Sequence, residues 1–438
     1  MQKVPVVRVR CPDVAAKLAE LPEPVSVSLG SVRESMRDGL MAMSVAVGLV
    51  TMRAMLDEEI TALAGARHAR VPDRAVYRHG TTSGRVVMGG RKLSVERPRA
   101  RRVDGGEVEL DTWAVFSNDD LLTQVVVERM LAGVATRRHT QVAEPLGDRF
   151  AGTAVSKSAV SQRWVKATEA AMGELLARDL SGLDPAVLMI DGLDFAGDTM
   201  VVALVVTADG TKVPVGLAHG DTENATVVKA VLADLVDRGL RYEAGMLVVL
   251  DGGKALRKAV NAVFGRHVLV QRCTIHKRRN VTGYLPKARR RAVDQRLARI
   301  FADPDPAAGL RKAQSFAKEL ELAYPDAAAS LREGLEEMFT VARIGATPTL
   351  RRSLATTNAI ESMISIARTT TRNVKNWRDG AMRRRWCAAG MLEAERSFRR
   401  IKGHAELPTF TQKIRTHINK TSDPKETVTA PEYTHTAA

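Results

Sequence analysis

The sequence predicts a mixed α/β protein whose central sheet follows the order βββαβαβ and is completed by helices, one block of them inserted late in the chain. Three observations carry this. Short apolar runs at Ala186–Ile190, Met200–Thr207 and Val213–Leu217 are joined by links holding Gly197 and Asp209-Gly210, as in an antiparallel meander. Two more runs, Met246–Leu250 and His267–Gln271, alternate with stretches at helical spacing (Asn224–Arg238 and Lys254–Phe264), the pattern of crossover units. From Lys287 to Phe339 no strand pattern returns, and charged helices broken at Pro304, Pro306 and Pro325 are expected instead. Crossovers of this kind set the fourth strand beside the first and parallel to it.

Ahead of the sheet the chain is mainly helical and basic. Residues 31–65 carry apolar residues at helical spacing and stop at Gly65. Gly84, Gly89 and Gly90 then interrupt short β-prone pieces, which predicts a small hairpin or ribbon. Ser117 is placed to cap an amphipathic helix from about Asp119 to Leu131. Residues 136–172 read as a helix, a break at Gly152, and a second helix opening near Ser156 or Ser158, a helix-turn-helix pattern that ordinary helical hairpins share. Beyond the insertion, one helix starts at about Asn358 and another spans roughly Asp379 to Arg400; the polar stretch after Lys420 is expected to be disordered. The expected divisions are a basic N-terminal region (1–116), a helix-turn-helix region (117–180), two parts of the sheet domain (181–284 and 346–404) around the insertion (285–345), and a tail (405–438).

Charge points to the partner. The chain has 438 residues and a formal net charge of +16, which favours a polyanion such as DNA. Eleven Lys or Arg against two acids give +9 between Arg67 and Arg102 alone. Candidate phosphate contacts there are Arg91, Lys92, Arg97, Arg99 and Arg101. Lys157, Ser161, Gln162 and Arg163 stand where a recognition helix meets base edges. Arg368, Arg372 and Lys375 precede Trp377, a basic run with one aromatic that suits a DNA strand, although a packed Trp377 serves the sequence equally well. No apolar run is long enough to span a membrane, the start lacks a secretion signal, and Cys11, Cys273 and Cys387 are too few for a disulfide framework; a soluble cytoplasmic protein is expected.

Against that basic background, acids at strand ends stand out. Asp191 closes the first predicted strand and Asp251 follows the fourth, so the strand order brings both to one edge of the sheet. A helix crossing that edge would add Glu361. Three carboxylates so arranged repel one another until a divalent cation joins them, and Mg²⁺ or Mn²⁺, as a pair of ions, fits oxygen ligands completed by a phosphate. Asp194 and Asp198 fall in the strand-to-strand turn and are not expected to be ligands. Cys273 and His276 form a C-x-x-H without the second ligand pair of a zinc finger, so Cys273 is expected in the core and His276 near the acidic edge. Thr357 and Asn358 are placed to cap the Glu361 helix.

The segments MIDGLDF, HGDTENATVV, VVLDGGKAL, QRCTIHKRRNV, TTNAIESMIS and VKNWRDGAMRRRW resemble the Mutator-type, IS256-like transposases of bacterial insertion sequences over roughly residues 30–405. Sixty residues separate Asp191 from Asp251 and 110 separate Asp251 from Glu361, leaving room for inserted helices. The resemblance implies an RNase H-like catalytic domain with Asp191, Asp251 and Glu361 as its DDE triad, a C-x2-H motif at Cys273 and His276, and a substrate role for Asn358. It further implies cleavage at terminal inverted repeats, strand transfer into target DNA, and a copy-out, paste-in route through a circular intermediate. Pairing two DNA ends makes a homodimer or larger assembly the expectation. An RNase H-like nuclease or resolvase, or a DNA-binding regulator without catalysis, are the competing readings.

Overall fold

The computed structural model describes residues 40–69, 72, 74–88, 91–118, 120–139, 152–153, 156–220 and 224–422. The expected start of the first helix (31–39), most of the first helix of the helix-turn-helix pattern (140–151) and the end of the tail (423–438) lie outside the described residues. Two compact units divide the chain, Met1–Ala167 and Thr168–Ala438.

In the first unit, helix α1 (Leu40–Ala64) buries Val45, Leu49, Met52, Leu56 and Ile60, spaced three or four residues apart and so on one face. That stripe meets Val86, Leu93 and Val95 of an antiparallel hairpin, β1 (Val76–Met88) and β2 (Arg91–Arg102). The predicted ribbon is therefore two long strands. Gly84 lies where the ring of Trp113 crosses β1, and a Cβ there would stand 2.4 Å from Cη2. A short β3 (Glu107–Val108) pairs with the end of β2, and α2 (Asp111–Ser117) and α3 (Asp120–Leu131) follow. The expected break at Gly152 is a two-residue strand, β4 (Gly152–Thr153), paired with Lys92 and Leu93 of β2; a partner supplied from far along the chain orders what local sequence reads only as a breaker. Helix α4 (Lys157–Ala177) then runs across the boundary between the units.

The second unit holds the mixed sheet. Its strands are β5 (Pro185–Phe195), β6 (Asp198–Thr207) and β7 (Lys212–His219), then β8 (Met246–Leu250) after α5 (Ala225–Asp237), and β9 (Val268–Arg272) after α6 (Lys254–Phe264). Their order across the sheet is β7-β6-β5-β8-β9; β5, β6 and β7 are antiparallel, whereas β8 and β9 run parallel to β5. Strands covered on both faces must be apolar throughout, which is why β8 reads MLVVL with every residue buried. Val228, Val231, Leu232 and Leu235 of α5 and Leu256, Val260 and Phe264 of α6 cover one face.

β5 differs from the sequence expectation in its length. It continues past Asp191 to Phe195, because the antiparallel pairing with β6 persists (Asp191 opposite Val202) to a turn at Ala196 and Gly197, both at positive φ. Only the parallel pairing with β8 stops at Ile190. Asp194 and Asp198 consequently sit at the last rungs of this hairpin, with Asp194 Oδ1 accepting from the Gly197 N–H at 3.2 Å.

After β9 come α7 (Thr274–Gly283), α8 (Lys287–Phe301), α9 (Pro306–Glu321), α10 (Pro325–Arg332), α11 (Thr340–Arg343) and α12 (Pro348–Leu354). α7 to α10 share a core of their own, including Val281, Leu297, Phe316, Leu331 and Phe339. Polar side chains key this block to the sheet. Buried Gln271 of β9 donates to the Met338 carbonyl (3.0 Å) and accepts from the Val341 N–H (3.0 Å), and Arg272 and Arg257 both bond the carboxylate of Glu337 at 2.7 Å. Buried Lys277 donates to the carbonyls of Ser330 and Glu333, and burial holds its pKa down to about 8.

Helices α13 (Asn358–Thr371), α14 (Gly380–Ser397) and α15 (Leu407–Ser422) complete the unit, α13 lying against β5, α14 against β7, and α15 against β5, β8 and β9. Part of the expected tail is thus a packed helix, whose Leu407, Phe410, Ile414 and Ile418 are buried. No helix among the described residues is long and apolar enough to cross a membrane.

Candidate active site

Strand register places the two aspartates. Ile190 pairs with Leu250 on adjoining parallel strands, so Asp191 and Asp251 are the next residues at the same level of the sheet. Asp251 opens the turn into α6, where Gly252 takes a φ of +113° and the Gly253 N–H donates to Asp251 Oδ1 at 3.0 Å. Arg272 holds that turn by donating to the Gly252 carbonyl at 2.8 Å. Glu361 lies in the first turn of α13, and His276 in the first turn of α7, a helix whose start is fixed by the Cys273 N–H donating to the Leu250 carbonyl at 2.8 Å. α6, α7 and α13 therefore all begin at this edge, and a helix N-terminus favours anions, carboxylate or phosphate.

Asp191 is only 5% exposed. Burial, reinforced by the charges of Asp251 and Glu361 and opposed by His276, pushes its carboxyl up to about 7. A hydrogen bond to Cys273, then the charges of Cys273, Asp191 and Glu361, raise His276 to about 9 against the opposing effect of burial. Burial would raise the Cys273 thiol, but its bonds to His276 and Thr357 leave it below the usual range. Thr357 stands among these groups, fully buried. Its hydroxyl is 2.9 Å from Glu361 Oε1, 3.3 Å from His276 Nδ1 and 3.4 Å from Cys273 Sγ. One hydroxyl proton serves one acceptor at a time, and Glu361 is the nearest.

Here the capping expectation fails. Thr357 is the residue before α13, yet its side chain makes no capping bond to the helix backbone; its backbone lacks the extended conformation usual for a cap, and its hydroxyl donates to Glu361 instead. Asn358 is exposed as the first residue of α13. Cys273 is in the core as expected, but it is not apart from the acids: ligand atoms of Cys273, His276 and Glu361 all lie within 4.8 Å of one another.

Of the basic candidates, several are occupied by their own chain. Arg99 makes a two-pronged bond with Glu107 (2.8 and 2.9 Å), Arg97 lies 3.6 Å from the same carboxylate and over the Trp113 ring, and Arg101 donates to the Gly105 carbonyl. Arg91 and Lys92 are half-buried where β2 begins. Lys157, Ser161 and Gln162 are exposed near the start of α4, whereas Arg163 donates to Thr123 at 2.9 Å. Arg368 holds the β5–β6 hairpin through the Asp194 carbonyl (2.8 Å), and Arg372 and Lys375 are exposed after α13. Trp377 is half-buried, packed edge-on against Phe195 and Trp386 at 5.7 and 6.3 Å between ring centres. Sequence reading missed Arg272, Arg257 and Glu337; the basic residue closing β9 was the available signal, and its acidic partner lies 65 residues away.

The family described as "Transposase, Mutator family" matches residues 30–399. The chain is similar to a probable insertion-sequence transposase of Corynebacterium diphtheriae, 29% identical over 48% of this chain and 61% of that protein. It is similar also to the IS6120 transposase of Mycolicibacterium smegmatis, 31% identical over 45% of this chain and 62% of that one. The IS256 transposase of Tn4001 from Staphylococcus aureus is 27% identical over 56% of this chain and 63% of its own length. The chain thus spans about three fifths of the length of these relatives.

Proposed function

The chain belongs to the Mutator family of transposases, and we propose that it is a DDE transposase with an RNase H-like catalytic domain, acting on the terminal inverted repeats of an insertion sequence. Asp191, Asp251 and Glu361 are the catalytic carboxylates in this reading. The observation that carries it is the register that sets Asp191 level with Asp251, with Glu361 close enough to raise the Asp191 carboxyl.

The donor chemistry fits Mg²⁺ or Mn²⁺. A carboxylate kept partly protonated by burial, with two neighbouring carboxylates adding to the effect, has lost hydration without gaining a full counter-charge, and a hard cation supplies it. Two such ions, when bound, lower the pKa of the attacking water or hydroxyl and stabilise the leaving oxygen. The residues do the rest. Asp191 and Asp251 hold the cations from the ends of parallel strands, while Thr357 and His276 fix one oxygen of Glu361 beside them and leave its other oxygen for a cation. His276 stays protonated to about 9 and offers a cation to a phosphate oxygen. Hydrolysis at the element's end then frees a 3′-OH, and that hydroxyl attacks a phosphodiester of the target DNA.

The DNA is read, in this proposal, by Lys157, Ser161, Gln162 and Arg163 of α4 and held by Arg91, Lys92, Arg97, Arg99 and Arg101. Arg97, Arg99, Arg101 and Arg163 exchange their intramolecular partners for DNA, and Arg372 and Lys375 contact the strand that leaves the site. Arg368, Asn358, Cys273 and Trp377 support the site. Two ends must be paired, so the working form is a homodimer or larger on DNA.

Purified protein with Mg²⁺ or Mn²⁺ is expected to nick and join DNA carrying the inverted repeats that flank its own reading frame. Asp251→Asn should abolish both steps and leave repeat binding within about twofold of the unsubstituted protein, since it removes one ligand and no DNA contact. Joining at the normal rate by Asp251→Asn would refute the assignment.

A further inference from the structure

A second concavity lies on the other side of the segment that carries Thr357. It encloses about 640 Å³ among α7, α8 and α12, within the size range of small-ligand sites. Ile275, Phe301 and several alanines and prolines line it together with Arg278, Arg351 and Arg352; no lining residue is acidic. The wall shared with the catalytic edge is pinned. Both the N–H and the hydroxyl of Thr274 donate to the Ala355 carbonyl at 3.0 Å, and the next residue, Thr356, lines the concavity.

Two polar features there are unanswered. Thr356 is 7% exposed and its hydroxyl has no hydrogen-bond partner, a state that buried polar groups avoid. Arg352 is exposed and makes no ion pair or hydrogen bond among the described residues. The other two arginines are held in place, Arg278 by Asp294 at 2.8 Å and Arg351 by the main-chain carbonyls of Phe301 and Asp303. Carbonyl partners leave the Arg351 charge without a carboxylate in contact.

We propose that this concavity receives one unstacked nucleobase of the DNA strand beside the scissile phosphate, with Arg351 and Arg352 on the flanking phosphates and the buried Thr356 hydroxyl turning out onto the base edge. An apolar lining that also carries two arginines without a carboxylate partner in contact matches a flat ring attached to a phosphate, and matches neither an apolar peptide nor a bare anion. The inference rests on the catalytic reading above, because Thr356 directly precedes the Thr357 that bonds Glu361.

The test uses the full chain and terminal-repeat duplexes with 2-aminopurine at each position near the cut. Emission is measured without divalent metal, and cutting of the same ends with Mg²⁺. Emission should rise several-fold at one or two positions on binding, and fall back to the free-duplex level with Arg352→Ala or Thr356→Val. The two variants should cut normal ends about tenfold more slowly, the scale of one lost base contact, and cut at the unsubstituted rate when that position is abasic. Arg352 is on the surface, so its loss leaves folding intact. Duplexes that are cut with no position brightening would overturn the pocket while leaving the catalytic reading in place. Brightening that survives both substitutions would also overturn it, as would slower cutting without any brightening. Absence of cutting by the unsubstituted protein would remove the catalytic reading and the pocket with it.

Discussion

Asp191 has a carboxyl near 7 in the fold against about 3.8 when unfolded, so its ionisation works against folding. The penalty is absent below about pH 4, grows as pH rises, and is complete above about 7. Asp191→Asn is therefore expected to raise the melting temperature of EDTA-treated protein at pH 8 and not at pH 4. The gain is on the order of 4 kcal/mol or less, about three pKa units at 1.36 kcal/mol each. Mg²⁺ should stabilise the unsubstituted protein and leave the variant almost unmoved; calorimetry with and without metal checks both. A second expectation concerns Thr357. Thr357→Val keeps the shape of a buried side chain but releases Glu361, and should cut the cleavage rate about tenfold with repeat affinity unchanged, whereas Thr357→Ser restores it. The meeting of Asp191 and Asp251 was legible because strand order alone sets it. The use of Thr357 was not, since a threonine before a helix reads as a cap until the folded chain places its hydroxyl among Glu361, His276 and Cys273.

Elements with dense apolar patterns were the most legible, and those defined by distant partners the least. β8 and α6 have the residue limits their apolar patterns predict. β4, two residues long, has no pattern to read; β2 creates it. α15 did carry a signal, Leu407, Phe410, Ile414 and Ile418 at helical intervals, masked by its many polar residues. Because Ile414 is fully buried, Ile414→Ala should lower stability by about 2–5 kcal/mol in denaturant titration. The hairpin of the first unit gives a sharper case. Gly84→Ala puts a methyl 2.4 Å from the Trp113 ring and should cost about 1–3 kcal/mol, most of it recovered by Trp113→Leu in the same chain.

Over the whole molecule, the +16 charge sets how DNA is approached. Affinity for an unrelated duplex should fall about a thousandfold between 50 and 200 mM salt if some six phosphates are neutralised. A filter-binding series gives the slope directly, and a flat one would show that the basic side chains are spent on intramolecular pairs, as Arg99 is on Glu107. Composition revealed the sign of the charge; which cations remain available depended on acids such as Glu107, whose pairing only the folded hairpin reveals.

The clasp between Glu337 and the arginines at 257 and 272 constrains how this chain could be shortened. Arg272 also grips the Gly252 carbonyl beside Asp251. Excising the helices between β9 and α13 would strand two guanidinium groups next to the aspartate turn, free to swing onto its carboxylate and hold it as an internal salt. The inserted block is thus a built-in counter-ion for the two arginines behind the candidate site, and a miniature version would need Arg257 and Arg272 neutralised to keep the Asp251 carboxylate free.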